Sequence, residues 1–230
     1  MIDFKNKNIL TIMPSRNRPG RCQAAVRSLL NNSTMSDIRV LIDSDDPSLE
    51  EYMNHEEKYF YEVKERQTIT QRINSCSMDN VAEYDYFHLT NDDTIYHTKD
   101  WDMKFIYTNK LKKNFIVYGN DLFQGQNLCT FPFISKEIVK CLGWLQMPLL
   151  NKYFGDMVWK VVGSQANCLY FTPDVIIEHL HFLANKDTEP TEEFMKEYMD
   201  IYTKDKSNYV KWLINSDDEI QKVREICKSA

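Results

Sequence analysis

The sequence predicts an α/β protein whose mainly parallel sheet is flanked by helices. In the first half of the 230-residue chain, short apolar runs alternate with stretches of helical periodicity, and this alternation is typical of strand–helix–strand units. Polar clusters directly follow three of the predicted strands. Ligands bind beyond the carboxyl ends of the strands in sheets of this kind, so these clusters are the first candidates for a functional site.

The first half of the chain alternates predicted strands with predicted helices. The first strand stops at Pro14, and the second helix opens with Pro47 at its first position, where proline is favoured. The first helix carries alanines and leucines at helical spacing. The predicted strands are 8–13, 38–43, 59–63, 84–90 and 114–118, and the predicted helices are 20–31, 47–55 and 68–80.

The second half of the chain is less regular. Strand-like runs occupy residues 128–134 and 168–182, and a helical pattern occupies residues 151–162. From about residue 188 onward the pattern is helical and polar, with aromatic residues at intervals. We therefore predict one α/β domain over residues 1–185 and a C-terminal helical extension over 186–230, which packs on the same domain or on a partner.

The composition favours a globular protein without a membrane span. Hydrophobic residues make up 43% and charged residues 27% of the chain, an ordinary balance, and no stretch approaches the roughly 20 apolar residues that cross a bilayer. The first residues lack the apolar core of a signal peptide, and the six cysteines include no Cys-x-x-Cys pair. We therefore expect a cytoplasmic protein with free, mostly buried thiols. The net charge of −6 weighs against a surface that wraps duplex DNA, although it allows a local basic patch.

The strongest candidate cluster is the acidic triplet, which consists of Asn91, Asp92 and Asp93. It follows the apolar and aromatic strand predicted at residues 84–90. Carboxylates at the end of a buried strand are costly unless they are solvated, paired or bound to a cation. Adjacent acids there can bind a hard divalent ion and leave coordination sites for diphosphate oxygens. The alternative is a solvated turn, which Asn and Asp favour in any protein.

The loop after the first strand is a candidate anion site. It contains Pro14, Ser15, Arg16 and Arg18 and leads into the helix predicted at residues 20–31. Backbone N–H groups at a helix N-terminus hold anions, and the two arginines add positive charge. The glycine spacing matches neither a Walker motif nor a dinucleotide-binding fingerprint. The alternative is a strand-to-helix turn with solvated arginines.

The third polar cluster follows the second predicted strand and includes Asp43 and Asp45. A carboxylate at this position can accept hydrogen bonds from a ribose or from the edge of a base. A helix cap for the short helix that begins near Pro47 accounts for the cluster equally well.

The helix that precedes the acidic triplet carries Arg72 and Asn74. Arg72 is a candidate for a diphosphate contact, and Asn74 for a sugar hydroxyl. The alternative for both residues is the ordinary polarity of an exposed helix face.

Two later motifs carry further candidates. Asp156 follows Gly155 at the start of a helical stretch, where it serves either as a cap and helix-dipole partner or as a general base. His179 and His181 share one face if their segment is a strand. Paired imidazoles on one face can ligate a metal, and the alternative is a pair of packed or surface histidines.

The order of these motifs resembles that of GT-A glycosyltransferases and is similar to glycosyltransferase family 2 and its phage-encoded relatives. The resemblance covers roughly residues 8–185, and no single motif in it is specific. The matching segments are the loop 11–18, Asp43 or Asp45, Arg72 with Asn74, the triplet 91–93 in place of Asp-x-Asp, the helix start 155–163 and the histidine strand 172–182. Asn91 and Met157 depart from the pattern, since acids are common at both positions.

The resemblance implies a metal-dependent glycosyltransferase that uses a nucleotide-diphosphate sugar, with a UDP-sugar favoured. In this interpretation Mn²⁺ or Mg²⁺ binds Asp93, with His179 or His181 completing the ligands, and Asp156 is the base of an inverting transfer. Arg16 or Arg18 and Arg72 face the phosphates, and Asn91 and Asp92 contact the donor. The acceptor is a glycan, a protein, a lipid, a small molecule or, in a phage context within the host cytoplasm, a modified DNA base. The sequence does not fix the oligomeric state.

Two other functions are compatible with the same residues. A nucleotidyltransferase that acts on a sugar phosphate shares the nucleotide-binding layout and the carboxylate-bound metal, although the loop 14–20 is poor in glycine. A non-catalytic binding module of the same fold would explain the departures at Asn91 and Met157. Release of a nucleoside diphosphate, release of pyrophosphate and absence of turnover distinguish the three functions.

Overall fold

The computed structural model describes residues 9–184 and 192–228 of the chain. Within these ranges the chain forms eight strands and eight α-helices around one continuous sheet. The strands are β1 (Ile9–Pro14), β2 (Ser36–Asp43), β3 (Tyr61–Lys64), β4 (Tyr86–Leu89), β5 (Thr94–Tyr96), β6 (Ile116–Asn120), β7 (Phe133–Ser135) and β8 (Leu169–His179). The helices are α1 (Pro19–Asn32), α2 (Leu49–Met53), α3 (Ile69–Asp79), α4 (Trp101–Thr108), α5 (Lys136–Leu142), α6 (Gly155–Gln165), α7 (Glu192–Asn215) and α8 (Asp217–Cys227).

The sheet has a parallel half and a mixed half. Its strand order is β3-β2-β1-β4-β7-β6-β8-β5. The strands from β3 to β4 are all parallel, with Ile9 opposite Ser36 on one side and Tyr86 on the other. Beyond β4 the short strand β7 runs antiparallel to both β4 and β6, β8 runs parallel to β6, and β5 runs antiparallel to β8. The expected α/β class with a mostly parallel sheet flanked by helices is confirmed.

Apolar residues cover both faces of the central strands. Successive side chains of a strand point to opposite faces, so β1 divides its residues between two cores. Leu10 and Ile12 pack with α3, α5, α6 and the C-terminal helices. Ile9 and Met13 pack with α1 and α4 on the other face. A parallel strand that is buried on both faces needs a continuous apolar run, and the run at residues 9–13 supplies it.

Strand β8 is long and bends in its middle. It pairs with β6 through residue 172, after which the register shifts so that Asn120 lies opposite Ile176. Gly119 lies at this irregularity, and a Cβ atom there would stand 2.4 Å from the carbonyl oxygen of Val175. Only glycine therefore allows the close approach. Beyond the shift the strand pairs with β5 and ends at His179.

Several sequence-based boundaries and elements were wrong. The helix predicted at 151–162 begins only at Gly155, because residues 151–154 form a turn. The strand-like run at 128–134 is a strand only from Phe133 onward. Strand β5 and helices α4 and α5 were not predicted. Each is short, with three, eight and seven residues respectively, and short elements give weak periodicity.

The C-terminal helices pack on the sheet domain. Tyr209, Trp212, Ile220 and Val223 are buried in the same core as β1 and α6. The division at residues 185 and 186 stays a prediction, and the first and last residues of both predicted segments lie outside the described ranges. The six cysteines all lie in the described part, where none forms a disulfide. No helix there is long and apolar enough to cross a membrane.

Candidate active site at the carboxyl ends of the strands

The loop after β1 is tied directly to the acidic triplet. Ser15 is buried, and its hydroxyl donates a 2.8 Å hydrogen bond to Asp92 Oδ2. The same hydroxyl is hydrogen-bonded to the Tyr52 hydroxyl at 2.7 Å. Because β1 and β4 are adjacent parallel strands, their carboxyl ends lie side by side, and this bond joins the two loops that leave them.

Arg18 and Arg16 turn to different partners. Arg18 Nη1 donates to Asp92 Oδ1 at 3.3 Å and lies 3.8 Å from Asp93 Oδ2. Arg16 Nη1 donates to Asp45 Oδ1 at 2.7 Å and to Asp43 Oδ2 at 3.1 Å. The guanidinium of Arg18 therefore lies at the acidic triplet, and that of Arg16 lies at the loop after β2.

The two carboxylates of the acidic triplet have opposite pKa shifts. Burial raises the pKa of Asp92, and the charge of Asp93 adds to this, although Arg18 and Ser15 oppose it. Burial also opposes ionisation of Asp93, but His179 and Arg18, with a smaller contribution from His181, outweigh it and lower the pKa of Asp93. Asp93 is thus the carboxylate that the surroundings hold in its charged form.

Asp93 and His179 form the part of the site that fits a divalent cation. Asp93 Oδ1 is buried, and in the described part of the chain no donor makes a well-aligned hydrogen bond to it. His179 Nε2 lies 3.4 Å from this oxygen, and the His181 ring centroid lies 4.9 Å from that of His179. A carboxylate oxygen and an imidazole nitrogen are both ligands that Mn²⁺ binds in proteins. Asp93 Oδ1 and His179 Nε2 therefore form a candidate ligand pair.

Within residues 9–184 and 192–228, the side chains near Asp93 do not form a complete set of metal ligands. Across the described residues, no three His, Cys, Asp or Glu side chains converge into a ready-formed metal cluster. His181 stacks on Phe123, with ring centroids 5.6 Å apart and an interplanar angle of 13°. A cation held by Asp93 and His179 would therefore take its other ligands from water and from a bound substrate, as Mg²⁺ does in phosphate sites.

Asp156 is brought to the same end of the sheet. It lies in the first turn of α6, after Phe154 in the left-handed region with a φ of 69°. A Cβ atom at Gly155 would lie 2.4 Å from Gln146 Oε1, so any other residue at the start of this helix would displace the buried Gln146 side chain. Burial and, more weakly, the charge of Asp121 raise the pKa of Asp156, while a backbone hydrogen bond and His179 oppose the rise. A carboxylate with a raised pKa is suited to accept a proton from a hydroxyl.

The loop after β2 forms the exposed rim of the site. Asp45 is half exposed and also lies 3.6 Å from Arg66 Nη1. The turn that follows is closed by a hydrogen bond of 3.0 Å from the Asp46 N–H to the Asp43 carbonyl oxygen. The Asp46 carboxylate stabilises the turn, since it accepts hydrogen bonds from the backbone N–H of Ser48 at 2.8 Å and of Asn17 at 2.9 Å. The side chains of Asp43 and Asp45 pair with Arg16, and these three residues form the charged group of the rim.

Two residues expected to contact the donor have partners within the protein. Arg72 is buried, and its Nη2 donates to the carbonyl oxygens of Glu62 at 2.9 Å and Ile42 at 3.4 Å, whereas its Nε has no hydrogen-bond partner among the described residues. Asn74 Nδ2 donates to the Gln146 carbonyl at 2.7 Å, and its Oδ1 accepts from the Leu145 and Gln146 N–H groups. The phosphate and sugar contacts of these two side chains stay predictions.

Three residues near the site were missed. Asp121 is buried after β6, and its Oδ1 accepts hydrogen bonds from three successive backbone N–H groups of residues 123–125. Like the acidic triplet, Asp121 follows an apolar run, so the same pattern could have predicted it as a site residue. Tyr52 and Lys152 carried no local signal, because only the folded chain brings Tyr52 into contact with Ser15 and Lys152 within range of the charge of Arg18.

Similarity to solved structures identifies the fold. The structure of S. aureus TarS 1–349 in complex with UDP-GlcNAc matches with a TM-score of 0.54 and 12% identity, over 82% of this chain and 60% of that chain. The mannosyltransferase PcManGT from Pyrobaculum calidifontis, in complex with GDP-Man and Mn²⁺, matches with a TM-score of 0.53 and 9% identity, over 81% and 58% of the two chains. GalNAc-T7 with UDP, GalNAc and Mn²⁺ matches with a TM-score of 0.57 and 11% identity, over 77% and 44%.

The fold is GT-A. The three matched proteins are GT-A glycosyltransferases, and this chain spans 60% of the length of the matched chains or less. No known family model matches the sequence, and no curated protein matches it either. At 9–12% identity the likeness concerns the GT-A fold alone, so function is argued from the site.

Proposed function

We propose that this chain is a metal-dependent glycosyltransferase that transfers a sugar from a nucleotide-diphosphate sugar to an acceptor hydroxyl. One observation carries the proposal. In a GT-A fold, a buried oxygen of Asp93 without a well-aligned donor lies 3.4 Å from His179 Nε2, and Arg18 lies 3.8 Å from the other Asp93 oxygen. Asp93 and His179 would hold a divalent cation, and Arg18 would pair with the phosphates of the donor.

The donor site is built from the loops after β1, β2 and β4. We assign Arg18 to the phosphates, with Pro14 and Ser15 shaping the loop that carries it. Asp43, Asp45 and Arg16 form the rim that receives the nucleoside. Asn91 and Asp92 line the donor beside Asp93. Mn²⁺ or Mg²⁺, when held by Asp93 with His179 or His181, would supply positive charge that stabilises the departing nucleoside diphosphate.

Asp156 is the proposed general base. The charge of His179 acts on Asp156, and we place the acceptor hydroxyl between Asp156 and the donor. The carboxylate takes the hydroxyl proton as the acceptor oxygen attacks the anomeric carbon, and the bond to the nucleoside diphosphate breaks. Attack on the face opposite the leaving group inverts the anomeric centre. Product analysis that finds retention would remove Asp156 from this role.

A donor screen tests the proposed function. The protein is incubated with UDP-, GDP-, CDP- and TDP-sugars, with Mn²⁺ or with EDTA, and the released nucleotide is identified. We expect Mn²⁺-dependent release of a nucleoside diphosphate, with a UDP-sugar as the preferred donor. Release of pyrophosphate from a nucleoside triphosphate and a sugar phosphate would instead indicate a nucleotidyltransferase. Absence of both release and donor binding would indicate a binding module.

The acceptor is identified in a second screen with the best donor. Glycans, proteins, lipids, small molecules and DNA that contains hydroxymethylated bases are each added, and transfer of labelled sugar is followed. An acceptor accelerates donor turnover above the rate of hydrolysis by water. The class that does so defines the substrate on the Asp156 side of the site.

A further inference from the structure

The loop 121–125, which follows β6, carries an exposed aromatic side chain beside the candidate cation site. Phe123 is 37% exposed, and its ring stacks on that of His181, with centroids 5.6 Å apart and an interplanar angle of 13°. The backbone N–H of His179 donates a 3.0 Å hydrogen bond to the Asp121 carbonyl oxygen. Two direct contacts therefore place Phe123 next to the two histidines of the site.

A buried carboxylate holds this loop in one conformation. Asp121 Oδ1 accepts hydrogen bonds from the backbone N–H groups of Phe123 at 3.0 Å and of Gln124 and Gly125 at 2.7 Å. Its Oδ2 accepts from the Thr130 hydroxyl at 2.9 Å. A buried carboxylate is tolerated only when donors surround it in this way. The backbone that carries Phe123 is therefore fixed before a ligand binds, which lowers the entropic cost of a contact with its ring.

The backbone of the same loop is strained at Leu122. Its φ of 55° lies in the left-handed region, which is unfavourable for a leucine. The Leu122 side chain is 45% exposed, so full burial of this side chain does not explain the conformation. Strained backbone is concentrated where proteins bind ligands, and this supports a binding role for the loop.

The order of the strands indicates which part of a donor would reach Phe123. The charged rim follows β2, Arg18 follows β1 and Asp93 follows β4, while β6 and β8 lie on the other side of β4. The end of β8 is joined to Asp93, whose carbonyl oxygen accepts a 2.8 Å hydrogen bond from the Leu180 N–H. In a nucleotide-diphosphate sugar, the diphosphate lies between the nucleoside and the sugar. With the nucleoside at the rim and the phosphates at Arg18, the sugar is directed toward the loop after β6.

One face of a pyranose ring consists largely of C–H groups, and such a face packs on an aromatic ring through apolar and dispersion contacts. We propose that Phe123 binds the transferred sugar of the donor: the loop 121–125 forms a fixed aromatic platform on which the sugar ring packs. This inference rests on the proposed function for the identity of the ligand as a nucleotide-diphosphate sugar. Phe123 is a binding residue in this scheme, and Asp121 is a positioning residue that acts through it.

A comparison of UDP with UDP-glucose and UDP-N-acetylglucosamine, measured by calorimetry with Mn²⁺ present, tests the inference without turnover. Phe123→Leu keeps an apolar side chain but removes the ring. It should weaken the UDP-sugars by about three- to tenfold, the scale of one aromatic contact. The Kd of UDP should stay unchanged, because UDP lacks the transferred sugar. Phe123→Tyr should retain most of the affinity, and Tyr107→Leu, at an exposed aromatic residue of α4, is the matched control that should change neither ligand.

Asp121→Ala tests the positioning role. The variant removes the acceptor of all four bonds that hold the loop. We expect the same selective weakening of the UDP-sugars and faster hydrogen exchange of the amides at 123–125. Asp79→Ala, at an exposed position of α3, should change neither quantity. Thermal melting of each variant shows whether the fold has been kept, and Phe123→Leu tests binding at an exposed position even if Asp121→Ala unfolds.

The outcomes separate this inference from the proposed function. UDP-sugar affinities that stay at the wild-type level in Phe123→Leu would overturn the inference and leave the proposed function standing. Equal weakening of UDP and the UDP-sugars would also overturn it, since Phe123 would then act through His181 on the cation site. Selective weakening of the UDP-sugars, without transfer to any acceptor, would support the inference while contradicting the proposed function. A wild-type protein that binds neither UDP nor a UDP-sugar would overturn both.

Discussion

Two charged clusters lie at the same end of the sheet, and they differ in how well their charges are satisfied. The outer cluster consists of Arg16, Asp43 and Asp45, in which the guanidinium donates to both carboxylates. The inner cluster consists of Arg18, Asp92, Asp93 and His179. In it, one buried oxygen of Asp93 has no well-aligned donor among the described residues. Arg16 and Arg18, which are separated by one residue, therefore lie in two clusters whose carboxylates differ in their hydrogen bonding.

The exposure of Asp45 accounts for part of the difference. The Asp45 side chain is 50% exposed, whereas those of Asp43, Asp92 and Asp93 are 16%, 9% and 14% exposed. In water an ion pair gains little and water completes the hydration of each partner. In the inner cluster both carboxylates are shielded from water, so a negative charge without a full set of partners is unfavourable there. A ligand that supplies the missing partner therefore binds with a large favourable free energy. A bound substrate therefore gains more binding free energy from contacts with the inner cluster than from contacts with the outer cluster.

The largest expected effect is at the centre of the inner cluster. Asp93→Asn keeps the shape of the side chain but removes the negative charge that faces His179. We expect metal-dependent donor binding to be lost and kcat/KM to fall by about a thousandfold or more, as for a lost transition-state contact. Steady-state kinetics with the best donor measures this. Asp79→Asn, at an exposed position of α3, is the control, and turnover above a tenth of wild type in Asp93→Asn would refute the assignment.

The next effect is at Asp156, beside the inner cluster. Asp156→Asn should lower kcat by about a hundredfold or more, with the Kd of UDP unchanged, because a general base acts on the acceptor and not on the donor. The charged form is the active one, so activity is lost as the pH falls through the pKa of this group. Because that pKa is raised, the acid limb of the kcat profile should lie above the ordinary range of an aspartate. This acid limb should be absent from the kcat profile of Asp156→Asn. If the limb persists unchanged in the variant, it reports the pKa of a group other than Asp156.

The smallest effect is expected in the outer cluster. Arg16→Met removes the partner of Asp43 and Asp45 at the rim. We expect KM for the donor to rise by about two- to tenfold with kcat unchanged, as for a contact that is equally strong in the ground and transition states. Initial rates over a range of donor concentrations measure both constants. A fall in kcat comparable to that of Asp93→Asn would remove the distinction between the two clusters.

The parts of the site that follow strands directly were predictable from the sequence. The triplet 91–93 and the loop 14–18 are local in sequence, and their position at strand ends follows from the alternation of strands and helices. The structure brings them together through the bond between Ser15 and Asp92. Strand-end clusters are therefore informative as a set, since neighbouring parallel strands place their ends at one edge.

The remaining parts depend on contacts between distant segments. Arg72 was a candidate for a diphosphate contact, with an exposed helix face as the alternative, but its guanidinium is buried and donates to the carbonyl oxygens of Ile42 and Glu62. Residues 151–154 looked helical, but the carboxylate of Asp205 binds the N–H groups of residues 151–153 and holds them in a turn. No local pattern reports such partners, because they are 10 to 54 residues away along the chain.

The bonds from Asp205 also bear on the order in which the protein is completed during synthesis. The chain leaves the ribosome from its N-terminus, and domains begin to fold before synthesis ends. By the end of β8 the arginines, the acidic triplet and Asp156 have all been made. The turn 151–153 obtains its four bonds only after residue 205 has emerged. A nascent or truncated chain that stops before α7 thus carries the charged groups of the site without the carboxylate that orders the turn beside them.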